Sequence, residues 1–142
     1  KQRAGEVCGL AGARNDSTGN WCTVNLATFE STTVPNVHII GDSVLSNLPK
    51  SGHMATNHAK VCAAAIVELL AGRQPDPIPV VANTCYSATS DTTAGYVANV
   101  FRFEAGKGYV TQPDGGATGK GDDLNFAYAE SWAQNIWAET LS

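Results

Sequence analysis

Residues 73–79 read Arg-Gln-Pro-Asp-Pro-Ile-Pro, and three prolines in seven positions forbid any regular element across the stretch. Each proline fixes φ, lacks an amide hydrogen and pushes the residue before it into extended conformation. The chain is therefore expected to divide here, with different elements on the two sides. Upstream, small and apolar residues at Ala55, Ala59, Cys62, Ala63, Ile66, Leu69 and Leu70 recur at helical spacing. They predict a helix from about Gly52 to Ala71, with Gly72 as its stop. Downstream, "VVANTCYSA", "AGYVANVFRF" and "GYVTQ" read as strands, the last two joined by a turn at Glu104–Lys107. After a Gly-rich loop at 113–121, Asp122 or Asp123 caps a terminal helix with Leu124, Tyr128, Trp132 and Ile136 on one face.

Before the long helix the chain is less regular. Residues 1–20 are rich in Gly, Ala and Asn and read as loop, and "WCTVNLATF" at 21–29 reads as a short strand. Val37–Ile40 is a continuous apolar run after the turn signal Pro35-Asn36, which predicts a short buried strand leading into Gly41-Asp42.

Composition excludes several functions. Hydrophobic residues make up 43% of the 142 and charged residues 15%, which allows a packed core and argues against disorder. Nine Lys+Arg face thirteen Asp+Glu, without a basic run, so phosphate neutralisation on nucleic acid is not expected. No apolar stretch approaches the roughly 20 residues that span a bilayer. The four cysteines form no C-x-x-C pair, against a structural zinc site or a c-type haem attachment. Cys62 reads as a buried small hydrophobe; Cys8 and Cys22 are able to pair, which spacing alone leaves open.

The stretch "TTVPNVHIIGD" carries the first chemistry. A hydroxyl residue, a turn, an apolar strand and then Gly-Asp suit a carboxylate held at a strand end, where ligands bind. Gly41 permits close approach, and Asp42 accepts hydrogen bonds from hydroxyls. An Asp that only caps the following turn has the same signature. Next comes a loop entering a helix near Ser51-Gly52, whose amino terminus presents unpaired N–H groups and a positive dipole end. His53 and His58 invite an acid–base reading, but each is more often an ordinary surface or capping residue. By spacing alone Cys85 and Tyr86 read as residues packed in a strand, and Trp132 as part of a helix's apolar stripe.

Taken together, "WCTVNLATFES", "VPNVHIIGDS", "LPKSGHMATNHAKVCAAAIVELLAG", "NTCYS" and "YAESWAQNI" resemble the flavoprotein subunit of flavocytochrome c sulfide dehydrogenase, from about Arg3 through Trp132. The broader relatives are the sulfide:quinone oxidoreductases. The resemblance implies an α+β chain: residues 1–73 as the C-terminal segment of a glutathione reductase-like FAD-binding domain. Residues 74–142 would then be a small α+β sandwich domain with antiparallel strands and a terminal helix. It implies FAD as cofactor, held by Gly41 and Asp42 at the ribityl and pyrophosphate region and by Lys50, Ser51 and Gly52 near the flavin ring. Trp132 would lie near the isoalloxazine. Cys85 would be one half of a redox-active disulfide attacked by a small sulfur substrate, with electrons leaving to a c-type cytochrome subunit in the periplasm.

The dinucleotide fingerprint G-x-G-x-x-G is absent from this sequence. The chain is therefore expected to be the C-terminal portion of a longer flavoprotein. It would need the N-terminal FAD-binding half as partner, would be inactive alone, and would be prone to dimerise through uncovered surfaces. Two other readings stand beside it: a quinone-reducing relative, and a non-catalytic α+β interaction domain. The last helix carries acids and no Lys or Arg, which disfavours an anionic membrane surface.

Overall fold

The computed structural model describes residues 5–10, 12–113 and 115–141. The elements in chain order are α1 (Glu6–Leu10), β1 (Val24–Asn25), β2 (Glu30–Ser31), a 3₁₀ turn (Gly41–Ser43), α2 (Gly52–Leu70), β3 (Val80–Ala88), β4 (Ala94–Glu104), β5 (Gly108–Thr111), β6 (Gly116–Ala117) and α3 (Asp123–Leu141). The chain is α+β, with β1 and β2 as one small antiparallel sheet and β3-β4-β5 as a second, β6 pairing with β4. Contacts divide it into two compact units, residues 1–83 with 100–112 and residues 84–99 with 113–142. The expected loop at 1–4 and at Asp114 lies outside the described residues.

The first unit is built around α2. Ser51 is its N-cap: the Ser51 Oγ accepts the Met54 amide at 3.1 Å and donates to Asn83 Oδ1 at 2.5 Å. The prolines beyond Gly72 end the helix, whose C-terminus is closed by amides of Ala71 and Gly72. Met54, His58, Cys62 and Ala65 form its buried stripe, offset from the stripe read from the sequence. Of these, Met54 and Cys62 join Cys22, Val24, Phe29, Ile39, Val44, Val81, Phe101 and Tyr109 in one core. The β4–β5 hairpin pairs Phe101 with Thr111 and Glu104 with Gly108 across the expected turn.

Three expectations are corrected. The run Val37–Ile40 is not a strand: His38 makes one antiparallel bridge to Glu30, and only Ile39 is buried. Its amides and carbonyls pair with the β1–β2 hairpin, Ile39 N–H to Phe29 O and Ser31 N–H to Val37 O, so no ladder extends further. The segment 21–29 is not one strand but the first arm and the turn of that hairpin. The α3 stripe is largely exposed, with Leu124 57% and Tyr128 54% accessible, and only Asn125 is buried on that helix.

The second unit comprises the outer ends of β3 and β4, β6 and α3. Asp122 is the cap of α3, its carboxylate accepting the Asn125 amide at 2.7 Å, as the Asp-Asp signal predicts. Thr118 binds the Tyr96 backbone from both sides, Oγ1 accepting Tyr96 N–H at 2.8 Å while Thr118 N–H reaches Tyr96 O.

Candidate functional site

In the first unit, the predicted cofactor residues cluster in one loop. Gly41 adopts φ +68°, a left-handed conformation that only glycine takes without strain, and a side chain there would touch Ala55. The 3₁₀ turn that follows closes with Val44 N–H on Gly41 O at 3.2 Å. Cys22 bridges Val44 in parallel: Cys22 N–H donates to Ser43 O and Leu45 N–H to Cys22 O. Asp42 is thus carried on a turn clamped from both sides, and its side chain is exposed.

Lys50 completes the clamp. Its ammonium donates to the carbonyls of Asp42 and Val44, the latter at 3.0 Å, and lies 4.2 Å from the centre of the Trp21 ring. Trp21 is placed by Asp16, whose carboxylate accepts the amides of Thr18, Asn20 and Trp21 and the Thr18 hydroxyl. Those hydrogen bonds, the Thr18 hydroxyl first, hold the Asp16 carboxyl down to about 2. Lys50 is therefore a strut across the loop, and Ser51 a helix cap. Gly52, exposed with open space where a side chain would stand, begins α2.

The sequence reading of His58 as an ordinary surface or capping residue is corrected. His58 is 2% exposed, and its Nδ1 accepts the Gly41 amide at 3.1 Å, so the ring proton sits on Nε2. Phe29 stacks on the ring with centroids 4.4 Å apart. Nε2 has no hydrogen-bond partner among the described residues. The findable signal is spacing: His58 is four residues after Met54 and four before Cys62, the stripe that is buried.

Burial, and then the positive charge of Lys50, push the His58 imidazole down to about 4, with Asp42 opposing. A depressed folded value means that the unfolded chain binds the proton more readily. The stabilisation is complete above about pH 6.5 and is lost as pH falls through about 4, by about 2–3 kcal/mol. Urea denaturation from pH 7 to pH 4 should show this slope, and His58→Gln, which keeps an acceptor but does not titrate, should flatten it. Equal slopes in both proteins would refute the assignment.

In the second unit, Cys85 lies half-buried in β3. Its neighbour Tyr86 places its ring 6.0 Å from Trp132 of α3 and 6.2 Å from Tyr96 of β4. Trp132 is thus one wall of a tilted aromatic cluster beside the strand that carries Cys85. His53 is half-buried in the first turn of α2, and Cys62 is buried, its thiol raised by that burial.

A flavin fits these groups chemically. Asp42 offers exposed carboxylate oxygens to hydroxyls, and no hydrogen bond to that carboxylate forms among the described residues. The open Gly52 position leaves the start of α2 accessible. No helix of the described residues is long and apolar enough to cross a membrane, and no cluster of three or more His, Cys, Asp or Glu suits a metal among them. Residues 77–141, which include Cys85, Tyr86 and Trp132, match the family model described as flavocytochrome c sulphide dehydrogenase, flavin-binding.

Proposed function

We propose that the chain is part of an FAD-dependent sulfide dehydrogenase that passes electrons to a c-type cytochrome. The flavin-binding match over residues 77–141 carries this reading. Asp42, on its clamped turn, would accept hydrogen bonds from the ribityl hydroxyls, and Gly41 and Gly52 would leave room for the cofactor. Lys50 and Ser51 would act by fixing the loop and the helix start, since their polar atoms are engaged there. Trp132 would border the ring system.

Cys85 would be one half of a redox disulfide. Hydrosulfide adds to one sulfur, the S–S bond breaks, a persulfide forms on that cysteine and the other leaves as a thiolate. FAD, when bound, would supply the two-electron acceptor for that thiolate and a carrier able to pass electrons on singly. The acids Asp123, Glu130 and Glu139 on α3, without a Lys or Arg on that helix, favour a protein acceptor over an anionic membrane. On this reading the protein would work in the periplasm, and residues 1–73 would be part of a larger glutathione reductase-like FAD domain. The exposed apolar face of α2 and the following linker, with Val67, Leu70, Ile78 and Val80 accessible, supports such a cover.

The test is an anaerobic titration of the complete flavoprotein with sulfide and then cytochrome c. The oxidised-flavin absorbance should bleach and return; flavin that binds but does not bleach would refute the reading. Asp42→Ala should weaken FAD binding by about tenfold, the worth of one charge-assisted hydrogen bond. Unchanged affinity would remove Asp42 from the cofactor site.

A further inference from the structure

Two cysteines outside the proposed site meet in the first unit. Cys22 is fully buried, and Cys8 of α1, half-buried, packs against the same core. The backbone brings them together in two steps. Cys8 O accepts the amides of Ala13 and Arg14 at 2.8 and 3.2 Å, turning the chain back after α1. Asn15 and Asp16 then donate to Trp21 O at 3.0 and 3.3 Å, which returns the chain to Cys22. Both side chains pack on the same core, and after burial itself the Cys8 side chain is the foremost group acting on the Cys22 thiol. The Arg14 guanidinium lies over Gly9, where a side chain would otherwise stand, and its charge acts on Cys22.

We propose that Cys8 and Cys22 are a dithiol that closes to a disulfide by exchange with a low-molecular-weight disulfide. Burial, and next the adjacent Cys8 thiol, raise Cys22 to about 11, so the more accessible Cys8 is the entering sulfur. Its thiolate attacks the small disulfide, forming a mixed disulfide and releasing one small thiol. Cys22 then gives up its proton and attacks the Cys8 sulfur, and the second small thiol leaves. The protein loses two electrons and two protons, and both appear on the two small thiols. Arg14 offsets the negative charge that develops on sulfur during both steps.

The closed pair has a consequence for the loop nearby. Cys22 is bonded through its backbone to Ser43 and Leu45, so the disulfide tethers α1 to the strand bridge behind the Asp42 turn. Closing the loop between residues 8 and 22 also restricts the unfolded chain.

The experiment incubates the chain with oxidised glutathione, quenches it with acid and maps it by trypsin without reduction. Each cysteine falls in a different tryptic peptide, 4–14, 15–50, 61–73 and 74–102. Peptide 4–14 should be joined to 15–50. The thermal midpoint should rise by roughly 5–10 °C, reversibly with dithiothreitol, and Cys8→Ser should show neither effect. A lasting glutathione adduct on Cys8, or linkage of 4–14 to 61–73 or 74–102 instead, would overturn the proposal.

Discussion

In the complete flavoprotein, Cys85→Ser is expected to abolish sulfide-dependent flavin reduction while FAD stays bound. A serine oxygen of the same shape can neither share a disulfide nor carry a persulfide, so the proposed covalent step has no substitute route. In the proposed site, binding of the cofactor would rest on other groups, Asp42 foremost. The variant therefore separates chemistry from binding. Stopped-flow mixing with sulfide, read at the flavin absorbance, gives the rate, and flavin content after gel filtration gives the occupancy. Reduction at the wild-type rate would remove Cys85 from the mechanism and leave the flavin-binding assignment intact. Loss of flavin together with reduction would instead show a structural role for the residue.

The second large effect is on stability. Phe29→Ala should cost about 3–5 kcal/mol, a large share of what holds a domain of this size. Phe29 is fully buried, stacks on His58 and sits at φ +60°, a conformation that costs a non-glycine residue about 1–2 kcal/mol. The ring's burial must outweigh that strain. Phe29→Gly removes the ring and relieves the strain, so it should be no less stable than Phe29→Ala, the reverse of the usual glycine penalty. Urea denaturation of the three proteins measures both differences. A glycine variant about 1 kcal/mol below the alanine variant would contradict the left-handed backbone at this position. Because Phe29 supports His58, and His58 holds the Gly41 amide, both variants should also loosen the Asp42 turn. Amide exchange at Gly41 should report it.

The elements that were legible in the sequence are those whose signals are local. The helix at 52–70 is announced by its serine cap, its helical periodicity and the glycine and prolines that end it. The strands at 80–88, 94–104 and 108–111 are announced by aromatic and β-branched residues between turn signals, and α3 by its aspartate cap. The run at 37–40 misled because apolar content alone sets neither pairing nor burial, and here only Ile39 is buried. Whether a ladder forms depends on what lies alongside, and here the hairpin takes the backbone groups singly.

The candidate site divides in the same way. Gly41-Asp42 is visible as a motif because glycine and carboxylate carry their chemistry with them, whereas Cys85 in "NTCYS" is singled out only through the family resemblance. Three assignments needed the tertiary structure: Lys50 bracing the loop against Trp21, His58 holding Gly41, and Cys8 meeting Cys22. Each joins residues 14 to 29 positions apart in the chain. Local sequence chose the secondary structure, the cap residues and the chemical groups, since propensity and side-chain chemistry act over one turn. Only the fold decided which of those groups were clamped, which were buried neutral and which were left facing water, because desolvation and hydrogen-bond partners come from chain that is distant in sequence.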